Sequence, residues 1–161
     1  MSKVLVVDDK KATRVTVAMT LRKQGHEVDE SCCISGALDL IKKNSYDLII
    51  TDMRMPYRPD MKQEHEGGLK IVSAAKAIDK YVAVIVITAY ANMENALEST
   101  RLGSTNYLVK EFSKSELEMK AAMALEQRRI ALENRKLTDE ETISKELEKS
   151  TEIQPFLINQ A

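Results

Sequence analysis

The sequence is poor in cysteine, in net charge and in long apolar runs, and each of these absences excludes a class of protein. Its only cysteines, Cys32 and Cys33, are adjacent, which suits neither a structural disulfide nor the usual spacing of metal ligands. The formal net charge of −1 provides no basic field for direct binding of nucleic acid. No apolar stretch approaches the roughly 20 residues that cross a bilayer. We therefore expect a cytoplasmic protein that contacts neither nucleic acid nor membrane.

Five short apolar runs, separated by segments of helix length, predict an α/β fold. Runs this rich in Val and Ile are typical of the buried strands of a parallel sheet. Apolar residues at helical spacing follow the first four runs, with Gly25 placed as the residue after the first helix, Ser35 as the N-cap of the second, and Asn92–Leu102 as the fourth helix. The sequence thus predicts a doubly wound sheet with helices on both faces. Its predicted strands are Val4–Val7, Val28–Cys32, Tyr46–Thr51, Val82–Ile87 and Tyr107–Val109.

Four of these runs end on residues that phosphoryl chemistry can use. They end on the pair Asp8 and Asp9, on Asp52, on Thr88 and on Lys110. In an open parallel sheet, ligands bind outside the carboxyl ends of the strands, so we expect these side chains to meet at one edge. The sequence therefore predicts a site built from segments about a hundred residues apart.

The predicted site suits a magnesium ion and a phosphoryl group. Crowded carboxylates repel one another unless a cation lies between them, and magnesium prefers oxygen ligands. Asp52 can then act as the nucleophile that forms an acyl phosphate, while Thr88 and Lys110 hold the other phosphoryl oxygens. Asp8 and Asp9 alone would be equally compatible with a solvated turn.

The motifs VLVVDD, IITDMRMP, VITAYA and YLVKEF together resemble the receiver domain of bacterial two-component response regulators. The resemblance covers about residues 2–125 and implies a CheY-like fold with strand order 2-1-3-4-5. TAYANMENALES and ALEQRRIALENRKL look like receivers of the nitrogen-regulation type, found in sigma-54 activators, in which a linker helix leads to an ATPase. No GxxxxGK[ST] motif follows in this sequence, so both a part of a longer activator and a protein acting alone stay open.

The resemblance assigns a role to each site residue. It implies phosphorylation of Asp52 by a sensor histidine kinase or phosphotransfer protein, with Mg²⁺ as cofactor. It further implies that Asp9, Asp52 and the backbone carbonyl of Arg54 bind the metal directly, and that Asp8 acts through water. Thr88 would be the switch hydroxyl and Lys110 the phosphate partner. Tyr107 would be the aromatic that changes rotamer, although a half-buried aromatic on an edge strand is the ordinary interpretation of such a residue.

Two features depart from the family pattern. Glu111 follows Lys110 where the family usually has proline, and a cis bond before a non-proline residue costs about 2.5–4 kcal/mol, which favours a trans bond and a different placement of Lys110. The stretch YRPDMKQEHEG between Pro56 and Gly67 predicts an exposed loop, longer than the usual 2–6 residues. This loop is either a lid over Asp52, with Glu64, His65 and Glu66 near the metal, or a solvated segment that alters partner contacts only.

Residues 126–161 form a predicted helical tail beyond a receiver domain of residues 1–125. Ser113 with Glu116 is a capping box that begins a long helix, and Thr138 with Glu141 is a second one, where we expect the helix to break and restart. Met123, Ile130 and Leu137 repeat every seven residues, but Gln127 and Asn134 occupy the matching positions. A homodimer through the fifth helix and its extension and a solvated tail both stay open.

Two other functions compete with the phosphoacceptor. An aspartyl-phosphate phosphohydrolase usually carries an acid two residues after its nucleophile, and here Arg54 occupies that position, so we expect at most slow self-phosphorylation and self-dephosphorylation rather than enzymatic turnover. A dimerisation module that cannot be phosphorylated is the other alternative, and the complete set of five site residues argues against it.

Overall fold

The computed structural model describes residues 1–89 and 106–160, with side chains up to residue 147. The predicted fourth helix, Asn92–Leu102, lies outside the described residues. The chain divides into two compact units, Met1–Arg128 and Arg129–Ala161. The division of function between residues 1–125 and 126–161 remains a prediction.

A five-stranded parallel sheet forms the centre of the first unit. Its strands are β1 (Lys3–Val7), β2 (Glu27–Ser31), β3 (Leu48–Asp52), β6 (Ala83–Thr88) and β7 (Asn106–Val109), and a separate two-stranded hairpin contains β4 (Met55–Pro56) and β5 (Gln63–Glu64). The strand order in the sheet is β2-β1-β3-β6-β7, and all neighbours are parallel. The predicted order 2-1-3-4-5 is therefore confirmed. The described helices are α1 (Lys11–Lys23), α2 (Ile34–Lys43), α3 (Gly67–Ile78) and α4 (Lys114–Gln160).

Each face of the sheet is covered by its own hydrophobic core. Side chains alternate along a strand, so in β1 Leu5 and Val7 lie in the core beneath α2 and α3, while Val4 and Val6 lie in the core beneath α1 and the first turns of α4. The central strand β3 is buried at every position. This double burial explains why the strands consist of continuous apolar runs without polar alternation.

Helix termini follow the sequence signals at Gly25 but not at Ser35. Gly25 has φ of 91° and stands directly after the C-cap Gln24, and the N–H groups of Gly25 and His26 donate to the carbonyls of Arg22 and Leu21. This is the predicted end of α1. The predicted N-cap Ser35 is wrong, because extended Cys33 caps α2 by accepting the N–H of Gly36 on its Sγ.

The long connection after β3 is not a featureless loop. Pro56 pairs with Gln63 and Met55 with Glu64 in an antiparallel ladder, which folds the segment into a hairpin. The tip, residues 57–62, is exposed as expected. Sequence periodicity could not reveal strands of two residues each.

Helix α4 begins where the sequence predicts, at a cap formed by the hydroxyl of Ser113, which accepts the N–H of Glu116 at 3.1 Å. The predicted break at Thr138 is wrong, since α4 continues to Gln160. The Thr138 hydroxyl donates to the carbonyl of Asn134 at 2.9 Å within the helix instead of acting as a cap. Among the described residues, no helix combines the length and apolarity needed to cross a membrane.

We expect Gly25→Ala to lower the free energy of unfolding by about 1–2 kcal/mol, because an L side chain is disfavoured at this positive φ. A Cβ at this position would meet nothing within 4 Å, so the loss reflects backbone conformation alone. Denaturant unfolding would measure the change. Gln24→Ala is the matched control, since Gln24 has φ of −83°. Equal midpoints for the two variants would contradict this account.

Candidate functional site

The carboxyl ends of the strands bring the predicted site residues together. Asp52 is the last residue of β3 and Thr88 the last residue of β6, and Asp52 lies beside Ile87 in the parallel ladder. Lys110 directly follows β7, and its N–H donates to the carbonyl of Thr88 at 2.7 Å. Side chains from these three strand ends line one cavity of about 210 Å³, which Arg54 also lines.

Three carboxylates converge beside this cavity. Asp8, Asp9 and Asp52 each offer one carboxylate oxygen, and these atoms all lie within 4.8 Å of one another. Asp8 is 1% exposed and Asp52 is 5% exposed, so two of the three are withdrawn from water. Negative charges this close and this poorly solvated repel one another strongly.

The electrostatics of Asp8 reflect this crowding. Burial, mainly, together with the charges of Asp52 and Asp9, raises the pKa of Asp8 from its usual value to about 6. The backbone N–H of Lys10, which donates to Asp8 Oδ1 at 2.9 Å, and the ammonium of Lys110 act in the opposite direction. Asp8 therefore binds a proton more readily than an ordinary aspartate does.

The donor set fits a hard divalent cation. Among the described residues, Asp8 Oδ2 and Asp9 Oδ1 are buried and accept no hydrogen bond. Buried polar atoms without a partner are rare, and a missing ion is one of the ordinary explanations for them. Carboxylate oxygens are the ligands that Mg²⁺ prefers, so the cluster has the chemistry expected for this ion.

Lys110 forms an ion pair with Asp52. Its Nζ lies 2.7 Å from Asp52 Oδ2, and the ammonium is largely withdrawn from solvent. The described residues contain no cis peptide bond, so Lys110 reaches Asp52 with a trans bond before Glu111. This single cation leaves the other two carboxylates of the cluster without a direct ionic partner in the described part of the chain.

Thr88 and Tyr107 occupy neighbouring strands. Thr88 is 4% exposed and lines the cavity with Asp52. Tyr107 stands opposite Val86 in the ladder and is half-buried against the core beneath α2 and α3. The structure thus places one hydroxyl at the cavity and one aromatic ring on the edge strand, while their roles as a switch remain predictions.

A glycine allows α3 to approach the end of β3 closely. The N–H of Gly68 donates to the carbonyl of Met53 at 2.8 Å. A Cβ on Gly68 would overlap the backbone of Asp52, so no larger residue fits without moving the strand end. The N-terminus of α3 therefore helps to fix the position of Asp52.

Gln63 of the hairpin and His65, directly after it, both reach the cavity, although only His65 was among the residues named for a lid. Gln63, which no pattern singles out, donates from Nε2 to Asp9 Oδ2 at 2.5 Å and lines the cavity. His65 lines the cavity as well. Glu64 instead pairs with Lys70 of α3. The only sequence signal for Gln63 was the unusual length of the connection that carries it.

Comparisons with known proteins agree with this geometry. The model of the response regulator receiver domain family matches residues 4–122. Sporulation initiation phosphotransferase F of Bacillus subtilis is 30% identical over 115 residues, which are 71% of this chain and 86% of that protein. The regulatory protein AtoC of Escherichia coli is 30% identical over 138 residues, which are 84% of this chain but 28% of AtoC.

The similar solved structures also include both short and much longer chains. The chemotaxis response regulator CheY4 of Vibrio cholerae has a TM-score of 0.67 at 30% identity, covering 77% of this chain and 98% of that one. NtrX from Brucella abortus, in complex with ATP, has a TM-score of 0.74 at 26% identity, covering 84% of this chain and 29% of that one. The chain thus spans most of the short relatives and less than a third of the long ones.

We expect Asp8→Asn to stabilise the protein in the absence of divalent cations. Because the pKa of Asp8 is raised to about 6 in the folded protein, its ionisation destabilises the fold as pH rises from about 4. The shift corresponds to roughly 3 kcal/mol, and the buried asparagine amide offsets part of it, leaving about 1–2 kcal/mol at pH 7.5. Denaturant unfolding with a chelator present would measure the difference, which should grow between pH 4.5 and 7.5.

With magnesium present, the wild type should become more stable than Asp8→Asn. At a concentration a hundred times its Kd, a ligand stabilises the folded state by about 2.7 kcal/mol, and Asp8→Asn should lose most of this gain. Asp39→Asn is the control, because Asp39 is exposed on α2. A destabilised Asp8→Asn protein in chelator would refute the account of charge crowding.

Proposed function

Since this chain belongs to the response regulator receiver family, we propose that it accepts a phosphoryl group on Asp52 from a sensor histidine kinase or a phosphotransfer protein. One observation carries the proposal: the buried carboxylate of Asp52 forms an ion pair with Lys110 in a cavity that Thr88 also lines. The name of the Bacillus subtilis relative, a phosphotransferase, agrees with transfer of this kind. The signal, the cognate kinase and the output depend on surface complementarity with each partner.

The transfer uses Asp52 as nucleophile. A carboxylate oxygen of Asp52 forms a bond to phosphorus while the bond to the donor breaks, and the electron pair leaves with the donor nitrogen or oxygen. Lys110, which lies 2.7 Å from Asp52 Oδ2, then pairs with a phosphoryl oxygen. The Thr88 hydroxyl donates a hydrogen bond to another. Phosphoryl transfer depends mainly on such positioning and charge neutralisation.

We further propose that the acidic cluster holds Mg²⁺. Asp9, Asp52 and the backbone carbonyl of Arg54 would bind the ion directly, and Asp8 would act through water. When bound, the ion neutralises carboxylate charge and stabilises negative charge on the phosphoryl oxygens. The buried, unpartnered oxygens of Asp8 and Asp9 support this assignment.

The switch is proposed to run from Thr88 to Tyr107. A phosphoryl group on Asp52 adds negative charge to which the Thr88 hydroxyl can donate a hydrogen bond. This bond draws the end of β6 inward. Tyr107 lies on the adjacent strand β7, half-buried, so a change beside β6 alters the space available to its ring. The output face would then include β7 and the start of α4.

The C-terminal extension is proposed to mediate homodimerisation. Ile130 is 45% exposed and Leu137 is 54% exposed, both in the helical second unit. Apolar residues spaced by seven on an exposed helix are typical of positions that pack against a partner helix.

Arg54, in place of an acid two residues after Asp52, fits slow loss of the phosphoryl group rather than hydrolase turnover.

Asp52→Asn should abolish phosphorylation by acetyl phosphate, because the amide cannot form the acyl phosphate. Intact mass spectrometry after incubation with MgCl₂ and acetyl phosphate would measure the modified fraction. Asp60→Asn is the control, since Asp60 lies at the exposed tip of the hairpin. Modification of Asp52→Asn to the same extent as the wild type would refute the assignment.

Thr88→Ala should leave phosphorylation of Asp52 largely intact but uncouple it from any change of oligomeric size. The reason is that the variant loses the hydroxyl that follows the phosphoryl group while the nucleophile and Lys110 remain. Light scattering with and without beryllofluoride would measure the size. Thr88→Ser keeps the hydroxyl and should behave as the wild type. If Thr88→Ala changes oligomeric size on adding beryllofluoride as the wild type does, Thr88 is excluded as the switch.

A further inference from the structure

The hairpin of β4 and β5 presents alternate side chains to two different neighbours. Successive residues of a strand point to opposite sides. Gln63 accordingly reaches the cavity, while Glu64 pairs with Lys70 of α3. His65, two residues after Gln63, lines the cavity again. The face of β5 that carries Gln63 therefore belongs to the site, although the tip of the hairpin is exposed.

The two carboxylate oxygens of Asp9 have different surroundings. The Gln63 amide donates to Asp9 Oδ2 at 2.5 Å. The other oxygen, Oδ1, is buried and has no hydrogen-bond partner among the described residues. Asp9 also belongs to the cluster whose carboxylate oxygens lie within 4.8 Å of one another. A hydrogen bond to one carboxylate oxygen restrains the rotation of the group and so helps to hold the other oxygen in place.

The hairpin that carries Gln63 is held at both ends. Met55 in β4 is fully buried, and the N–H of Ser35 donates to the carbonyl of Tyr57 at 2.9 Å. On the returning strand β5, Glu64 stands opposite Met55 in the antiparallel ladder, and its side chain forms an ion pair with Lys70. Because these contacts fix the strand on which Gln63 stands, its bond to Asp9 links two anchored segments.

We propose that Gln63 is a positioning residue that latches the hairpin onto Asp9, so that divalent-cation binding and this contact stabilise each other. The inference rests on the metal site of the proposed function and adds to it a segment that the family motifs do not include. Groups that hydrogen-bond to metal-binding carboxylates orient them and typically change metal affinity 10–100-fold when removed. Thermodynamic linkage requires that the ion tighten the hairpin by the same factor.

The first measurement is a calorimetric titration of the whole chain with MgCl₂. We expect Gln63→Ala to weaken binding about tenfold or more. Met61→Ala is the matched control, because Met61 is a neighbouring hairpin residue that is 52% exposed, and it should bind Mg²⁺ as the wild type does. Circular dichroism would confirm that both variants are folded.

The second measurement is hydrogen exchange of residues 55–66 with and without MgCl₂. Magnesium should slow exchange in the wild type and in Met61→Ala, and should slow it less in Gln63→Ala. Equal or tighter magnesium binding by Gln63→Ala would overturn the latch, since it would mean that Gln63 is irrelevant to the ion or competes with it for Asp9.

Failure of the latch and failure of the proposed function give different results. If Gln63→Ala binds Mg²⁺ normally and Asp52 is still phosphorylated by acetyl phosphate, the latch is wrong and the phosphoacceptor stands. If the wild type binds no Mg²⁺, the metal site on which both depend is wrong.

Discussion

The crowding of buried carboxylates at the ends of parallel strands is the constraint on which this structure depends. Asp8 and Asp52 are withdrawn from water and lie beside Asp9. Lys110 offsets part of the repulsion through its ion pair with Asp52. The remaining charge gives the cluster the chemistry that a divalent cation prefers. Under the proposed function, an arrangement that destabilises the isolated protein would become favourable when the ligands are present.

The sheet holds these groups together against their repulsion. Strand β3 is buried on both faces by two separate cores, so its last residue, Asp52, cannot move away without exposing apolar surface. Gly68 brings α3 against the backbone of that residue. Similarity to both short receivers and much longer regulators shows that this framework is used with different attachments.

Sequence patterns predicted most of the sheet and the composition of the site. Continuous Val and Ile runs identify strands buried on both faces, and the carboxyl ends of such strands share one edge, which brings Asp8, Asp52, Thr88 and Lys110 together by topology alone. Gly25 was recognisable because a positive φ after a helix favours glycine. Local signals were weaker where backbone and side chain compete for the same hydrogen bonds. The wrong break at Thr138 is of this kind, whereas the N-cap prediction at Ser35 is wrong because Cys33 caps α2 instead.

The sequence by itself determined the fold class and which chemical groups meet at the sheet edge, because hydrophobic periodicity is a local property of the chain, while the strand order was implied by the resemblance to receiver domains. Only the tertiary structure decided how those groups are paired. The contact between Gln63 and Asp9 joins residues far apart in sequence, and it depends on a hairpin with strands too short to have a period. The burial that raises the pKa of Asp8 likewise arises only when neighbouring strands and helices exclude water from it.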